Sequence, residues 1–368
     1  MSAPAICLHI GAMKTGTTYV QRMLGSNQDV LAEHGIAYPM PWSDQVEAVR
    51  DILKMKGGSH LGSIEGRWKL MVDRLHTWEG PRAVLSVEFI SFADPDQVRT
   101  MVDDLAPSQV SVVLGARDLG RVLPAQWQTA VRNGRRTTYR EYLKGVTAKR
   151  ATGVKRHFWK RQDIGSIAAR WAAVVGKENV IVVTVPPSRS DPGLLWQRFA
   201  KAMELDFVSL SERTPSNESL GLTGTELLRR INVQADATEM STWSYQHGIN
   251  RALSHQLLPD LPDAHTGLGV PDEYHDWVRS ESARVLDELE ASGVNIVGDM
   301  ADLEPRLTPR GSFVWPEDLP DAELLEFAVA ALTAAGGRFA ELKREGMESR
   351  GGKKGRKGKR TTPRADES

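Results

Sequence analysis

Short apolar runs, each about the length of one β-strand, recur along the first half of the chain. The first spans 4–10 and is followed by Gly11, and further runs rich in Val, Ile or Leu lie at 82–87, 109–116 and 179–185. Continuous apolar runs are typical of strands that are buried on both faces of a parallel sheet. Segments with helical patterning separate them. The pattern therefore predicts an α/β fold, with a central parallel β-sheet flanked by helices and right-handed crossovers.

The pattern changes at about residue 218, where amphipathic helical periodicity replaces the strand-length runs. A stretch containing proline and glycine, 257–271, interrupts this region and predicts a loop or a lid. No composition typical of a linker precedes residue 345, so we expect one domain over 1–345 with a helical C-terminal subregion from about 218. The helices predicted in that subregion span 218–236, 242–257, 272–292 and 320–345.

The end of the chain is strongly basic, although the formal charge of the whole sequence is zero. Residues 349–368 contain eight Lys or Arg and two acidic residues, a net +6 that leaves −6 for the rest. No large apolar residue follows Met347, so we predict a disordered basic tail over 346–368. Such a tail could contact acidic partners weakly, such as RNA or a membrane surface, or could serve only as a solubilising segment without a specific partner.

The chain contains a single cysteine, Cys7, which excludes an internal disulfide and a metal site with several thiolate ligands. We see no signal-peptide pattern and no run of eighteen apolar residues that would span a membrane. With 40% hydrophobic and 26% charged residues, the composition is that of a globular protein. These features predict a protein of a reducing compartment, the cytoplasm.

A glycine-bounded loop joins the first predicted strand to a predicted helix. Gly11 and Gly16 have the separation found in the nucleotide P-loop G-x-x-x-x-G-K-[ST], but Thr17 stands at the lysine position and Lys14 lies inside the loop. A loop of this kind directs backbone N–H groups and the helix dipole at one point, which favours an anion. The loop therefore predicts a phosphate or sulfate site.

The loop resembles the 5'-phosphosulfate loop of sulfotransferases that use 3'-phosphoadenosine 5'-phosphosulfate, and its longer form, His-Ile-Gly-x-x-Lys-Thr-Gly-Thr-Thr, resembles uncharacterised bacterial sulfotransferase-like proteins. The resemblance implies a P-loop NTPase-like fold and donor binding without a metal ion. It also implies that Lys14 contacts the bridging oxygen of the donor and stabilises charge on the leaving nucleotide. The donor's 5'-phosphate would be held by the next four residues, Thr15, Gly16, Thr17 and Thr18.

A second motif places Arg117 directly after the apolar run 109–116. Ligands of open α/β sheets bind at the carboxyl ends of strands, and a guanidinium can hold a phosphate through two parallel hydrogen bonds. In the resembling family an arginine here binds the donor's 3'-phosphate, and a serine follows eight residues later. Ala125 occupies the serine position, so Gln128, Arg121 or a backbone N–H would have to substitute. Alternatively, Arg117 pairs with a carboxylate such as Asp118.

The candidate catalytic base is Glu88, which follows the run 82–87 and should open onto the same sheet edge as Lys14. An acceptor hydroxyl must lose its proton as it attacks, and a positioned carboxylate or imidazole can take that proton. Members of the resembling family use a glutamate or a histidine near this strand. His9, just before the loop, is the rival base. Either residue could instead be structural, Glu88 as a salt-bridging carboxylate and His9 as a satisfied side chain.

Two further groups of residues allow a functional or a structural interpretation. One resembles a family segment near the donor's adenine or phosphate, although Ser216 or Asn217 could equally cap a helix. The other could line an acceptor pocket, although tryptophans at helical spacing are as readily core residues. The first group is Arg213 with Asn217, Glu218, Ser219 and Leu220, and the second is Trp127, Gln128, Phe158, Trp159, Gln162 and Asp163.

These features predict a sulfotransferase that moves a sulfuryl group from 3'-phosphoadenosine 5'-phosphosulfate to a hydroxyl or amine of a small-molecule or glycan acceptor. One alternative is a P-loop small-molecule kinase or NTPase, which needs a magnesium-binding carboxylate and a lysine after the second glycine. Another is a non-catalytic nucleotide-binding protein, to which Ala125 and the basic tail would be suited.

Overall fold

The structure, a computed structural model, describes residues 3–55, 63–187, 192–211, 220–263 and 267–356. Within these ranges six strands form one sheet in the order β2-β3-β1-β4-β5-β6, and every neighbouring pair is parallel. The predicted α/β fold with a central parallel sheet is therefore confirmed. The strands are β1 Ala5–Gly11, β2 Ile36–Ala37, β3 Arg82–Ser86, β4 Val110–Ala116, β5 Val180–Thr184 and β6 Asn295–Val297.

Helices follow or connect the strands, as a parallel sheet requires. In chain order they are α1 Thr17–Ser26, α2 Gln28–Glu33, α3 Trp42–Ile52, α4 Arg67–His76, α5 Pro95–Asp104, α6 Leu119–Arg132, α7 Tyr139–Thr147, α8 Gly153–Gln162, α9 Ile164–Val175, α10 Pro192–Ala202, α11 Leu222–Ala237, α12 Thr242–Ser244, α13 His275–Ser292 and α14 Asp321–Arg356. A π-helical segment, Tyr245–Leu257, continues α12. Short 3₁₀ turns lie at Glu88–Phe92, Lys177–Asn179, Leu258–Asp260, Asp272–Tyr274, Met300–Leu303 and Pro316–Asp318.

The chain divides into two compact units. The first consists of Met1–Thr129, Tyr139–Ser216 and Gly269–Val314, and it contains the sheet. Strand β1 lies between β3 and β4, with Leu8 beside Leu85 on one side and Val112 on the other. Successive side chains of a strand point to opposite faces, so β1 contributes to two separate cores. Its loop-bearing end is thereby held from both sides.

Both faces of the sheet are covered by apolar packing. On one face, Ile6, Leu8 and Ile10 are fully buried with side chains from α4, α5, α9 and α13. On the other, Cys7 is buried with side chains from α1 and α10. The free thiol of Cys7 is part of this core, and burial raises its pKa to about 12. Its burial fits a structural role.

The second unit consists of Ala130–Thr138, Asn217–Leu268 and Trp315–Ser368, and its described elements are helical. Glu226 of α11 is fully buried and forms ion pairs with Arg229 and Arg230 of the same helix. Leu222 and Leu324 belong to a small apolar cluster that joins α11 to α14. This packing stabilises the first turns of α14.

Helix α14 continues to Arg356, into the segment 346–368 for which the sequence predicts disorder. The start of that segment is thus helical in the structure, and 357–368 lies outside the described residues. Among the residues that the structure describes, no helix combines the length and apolar character needed to cross a membrane.

Candidate functional site

The loop between β1 and α1 ends in a helix N-terminus that carries no side-chain cap. Gly16 is the N-cap residue, and the first turn of α1 contains no acidic residue. The first N–H groups of a helix have no acceptor within the helix, and the helix dipole places partial positive charge there. The start of α1 at Thr17 can therefore bind an anion.

Glycine is required at two positions around this loop. Gly16 has φ of 89°, and a Cβ atom there would lie 2.7 Å from Leu195 Cδ2. A Cβ atom on Gly115 of β4 would lie 2.4 Å from Thr15 Oγ1, so the loop packs directly on the strand backbone. Larger residues at either position would displace the loop.

Thr15 differs from the other predicted phosphate ligands in the placement of its hydroxyl. The side chain is fully buried, and Oγ1 donates a hydrogen bond to the carbonyl oxygen of Ala12 at 2.6 Å. This hydroxyl therefore stabilises the loop itself, which leaves the backbone N–H of Thr15 as its group for an anion. Thr17 is also buried, whereas Thr18 is exposed.

Lys14 and Arg117, predicted from separate motifs, lie close together. Lys14 is half-buried with φ of 69°, and its carbonyl oxygen accepts a hydrogen bond from Arg117 Nη1 at 3.2 Å. The neighbouring carbonyl oxygen of Met13 accepts one from Gln162 Nε2 at 2.9 Å. Contacts from the end of β4 and from helix α8 thus hold the middle of the loop. Lys14 and Arg117 both follow the carboxyl ends of neighbouring strands, β1 and β4.

Arg121, the alternative ligand for a 3'-phosphate, belongs to a separate network. Asp118 is buried, forms an ion pair with Arg121, and accepts hydrogen bonds from the backbone N–H groups of Arg121 and Arg306, both at 3.1 Å. The remaining guanidinium N–H groups of Arg121 donate to the carbonyl oxygens of Val185, Pro186 and Pro187. Arg121 therefore ties α6 to the end of β5.

Ala125 is half-buried on α6, and its methyl group supplies no hydrogen-bond donor. Its carbonyl oxygen accepts a hydrogen bond from Thr129 Oγ1 at 2.9 Å. Asp118 forms an ion pair with Arg121, whereas Arg117 donates a hydrogen bond to the loop, and this contact makes Arg117 the candidate phosphate ligand at the end of β4.

Glu88 lies against the loop, at the start of the 3₁₀ turn that follows β3. A Cβ atom on Gly11 would lie 3.1 Å from the carbonyl oxygen of Glu88. The backbone at Gly11 is therefore in close contact with the backbone at Glu88. Glu88 Oε2 accepts a hydrogen bond from Gln21 Nε2 at 2.9 Å. Gln21, which also donates to the carbonyl oxygen of Ser86 at 3.3 Å, was not predicted from the sequence. The sequence contained one indication of its role: Gln21 lies one helical turn after Thr17 on α1, on the same face of the helix.

His9, the rival base, is enclosed in the core. Its Nδ1 atom is 2.7 Å from Ser86 Oγ, and its ring packs edge-on against Phe199 with 5.1 Å between the ring centres. The side chain is fully buried, Nε2 has no hydrogen-bond partner, and burial lowers the pKa of His9 to about 3. Both candidate bases stay predictions: His9 is enclosed in the core, whereas Glu88 adjoins the loop at Gly11.

The residues proposed for an acceptor pocket have mostly structural contacts. Trp127 is buried and packs on Tyr139, with 5.1 Å between the ring centres. Phe158 is also buried, while Trp159 lies under the guanidinium of Arg284 at 4.7 Å. Gln162 anchors the loop, and Asp163 pairs with Arg284 at 3.4 Å. Arg213, Ser216, Asn217, Glu218 and Ser219 lie outside the described residues, and Leu220 is buried.

The sheet edge therefore combines an uncapped helix N-terminus with the cationic side chains of Lys14 and Arg117 and the carboxylate of Glu88. The first three favour a ligand with several negative groups, such as a phosphorylated nucleotide. The carboxylate of Glu88, on the segment that adjoins Gly11, can accept a proton from a second reactant. Within the described ranges, His, Cys, Asp and Glu form no group of three that could hold a metal ion.

Comparison with known proteins gave remote structural similarity to solved structures. No protein-family model matches the chain, and no curated protein matches it. Among solved structures, a sulfotransferase from Alicyclobacillus acidocaldarius is similar with a TM-score of 0.40 and 15% sequence identity, over 67% of this chain and 100% of that chain. At this distance the similarity assigns no function, so functional inference depends on the residues of the site.

Proposed function

We propose that this protein is a sulfotransferase that transfers a sulfuryl group from 3'-phosphoadenosine 5'-phosphosulfate to a hydroxyl or amine of a small-molecule or glycan acceptor. The observation that supports this most is the hydrogen bond from Arg117 Nη1 to the carbonyl oxygen of Lys14. It joins two cationic residues, each at the carboxyl end of a neighbouring strand, beside the uncapped start of α1.

In this proposal each end of the donor has its own ligands. The backbone N–H groups of Thr15, Gly16, Thr17 and Thr18 would hold the 5'-phosphate, and Arg117 would hold the 3'-phosphate through parallel hydrogen bonds. A nucleoside triphosphate is the less suitable ligand, because Thr17 stands where a P-loop lysine would reach the β- and γ-phosphates.

The reaction would be a direct, in-line transfer. The acceptor oxygen attacks sulfur while the bond from sulfur to the bridging oxygen breaks, and Glu88 takes the hydroxyl proton. Negative charge then builds on the departing 5'-phosphate, where the ammonium of Lys14 stabilises it. The products are the sulfated acceptor and adenosine 3',5'-bisphosphate. A reducing compartment such as the cytoplasm suits a chain with one buried cysteine.

Ligand binding tests the donor assignment before any acceptor is known. Adenosine 3',5'-bisphosphate should bind and raise the melting temperature equally with and without EDTA. ATP with magnesium should have little effect. Stabilisation by ATP and magnesium alone would overturn the proposal in favour of a kinase or NTPase. Transfer is then tested by screening hydroxyl and amine compounds with a donor carrying labelled sulfur.

A further inference from the structure

Helix α14 carries a second apolar face that is exposed. Leu325, Val329, Leu332 and Phe339 have exposed fractions of 65%, 54%, 73% and 71%. The face that packs inside the second unit is formed instead by the buried residues Leu324, Phe327 and Ala331. The helix is therefore apolar on two sides, and one of them is open to solvent.

The spacing of the exposed face is that of a coiled-coil seam. From Leu325 to Lys343 the positions advance by four, three, four, three and four, which is the 3.5-residue period of supercoiled helices. Gly336 and Lys343 occupy the two remaining positions of this series. A Cβ atom on Gly336 would meet nothing within 4 Å, so this position is an open notch in the exposed stripe.

We propose that this stripe pairs with the same stripe of a second copy of the chain, in antiparallel orientation, to form a homodimer. The seam positions 325, 329, 332, 336, 339 and 343 are symmetric about residue 334. Antiparallel pairing therefore sets Leu332 of each copy into the notch at Gly336 of the other. It also sets Val329 opposite Phe339. Parallel pairing would place Gly336 against Gly336, which leaves a gap, and Leu332 against Leu332, which crowds the adjacent layer.

The charges along α14 support the same orientation. Residues 321–332 contain three acidic residues and no basic residue, whereas 338–344 contain three basic residues and one acidic residue. Antiparallel pairing brings the acidic end of one helix beside the basic end of the other, while parallel pairing brings like charges together. The aliphatic stem of Lys343 can then cover Leu325 of the other copy.

Sedimentation of the full chain between 1 and about 100 µM tests the dimer, a range chosen to span ordinary homodimer affinities. The protein should be dimeric, and Leu332→Lys should weaken dimerisation at least about a hundredfold, because each dimer loses two buried leucines. Gly336→Leu should also weaken it by filling the notch. Leu70→Lys is the matched control, since Leu70 is 61% exposed on α4, and it should leave the dimer intact. Unchanged far-ultraviolet circular dichroism verifies folding of each variant.

Cross-linking tests the orientation. Under oxidising conditions, a mixture of the variants Leu332→Cys and Gly336→Cys should form a disulfide between them, while Leu332→Cys alone should not. Cys7 is buried and does not compete. A chain that is monomeric at about 100 µM, or that dimerises unchanged with Leu332→Lys, would overturn the proposal. Cross-linking of Leu332→Cys with itself would overturn the antiparallel arrangement. Binding of a monomeric chain to phosphatidylglycerol vesicles, abolished by Leu332→Lys, would assign the stripe to a membrane surface instead.

Discussion

Acidification should destabilise the fold through His9, over a pH range set by the burial of its imidazole. In the unfolded chain this group has its ordinary pKa of about 6.5. In the folded chain, burial lowers the pKa to about 3. Between these values the unfolded state binds more protons than the folded state, so the free energy of unfolding decreases as the pH falls from 6.5 towards 3. Well above pH 6.5, as at pH 8, the imidazole is neutral in both states and has no such effect.

The size of this effect follows from the two pKa values. At pH 5 the unfolded histidine is almost fully protonated and the folded one is neutral, which costs roughly 2 kcal/mol of stability relative to pH 8. The full difference, on the order of 4 to 5 kcal/mol, is reached only near pH 3. Burial is the cause of the lowered pKa; Nε2 has no hydrogen-bond partner, and Nδ1 lies 2.7 Å from the neutral Ser86 Oγ.

Urea denaturation at pH 8 and pH 5 measures this contribution in the wild type and in His9→Gln. The wild type should lose about 2 kcal/mol more than the variant between the two pH values. His34→Gln is the matched control: His34 is exposed, so this variant should keep the pH dependence of the wild type. An identical loss in the wild type and His9→Gln would show that the imidazole is not held neutral, and would return His9 to consideration as a base.

The remaining predictions concern the proposed reaction. Lys14→Met should lower turnover, measured by steady-state kinetics, far more than it weakens donor binding, measured by calorimetry. The control is Lys54→Met, at another lysine with positive φ, and it should change neither turnover nor binding. Glu88→Gln should keep bisphosphate binding and lose roughly two to four decades of turnover; near-normal turnover would exclude Glu88 as the base. Gln21→Leu should lower turnover by about one decade and add little to Glu88→Gln, because Gln21 acts through that carboxylate. Arg117→Ala should weaken bisphosphate binding by about one to two decades in calorimetry; unchanged affinity would place the 3'-phosphate elsewhere.

The sheet was predictable where a strand is long and buried on both faces. β1, β3, β4 and β5 are runs of five to seven residues in which apolar side chains predominate, and their positions follow from the sequence. β2 has two residues and β6 has three, and β6 begins with an exposed asparagine. Strands this short are defined by the neighbour that they pair with, so no pattern within them could have revealed them.

The site was predictable where its chemistry is local. The glycine spacing and Lys14 indicate an anion site because backbone geometry over a few residues produces it. The surroundings of Glu88, His9 and Arg121 depend on distant parts of the chain. Gln21 and Glu88 are 67 residues apart, and His9 and Ser86 are 77 apart. Periodicity within a segment does not encode such pairs, so the enclosure of His9 and the network around Arg121 emerged only from the fold.

The central position of β1 has a consequence for biosynthesis. This strand is synthesised before both of its partners, β3, which ends at Ser86, and β4, which ends at Ala116. The anion loop therefore stays unsupported until Ala116 has been made, and the hydrogen bond from Arg117 to the carbonyl oxygen of Lys14 cannot form earlier. During that interval the apolar residues of β1 are exposed, a situation in which chaperones commonly bind nascent chains. Translation stalled before residue 116 should thus yield a chain that is sensitive to protease within β1, and stalling far enough beyond residue 184 for β5 to have left the ribosome should protect it.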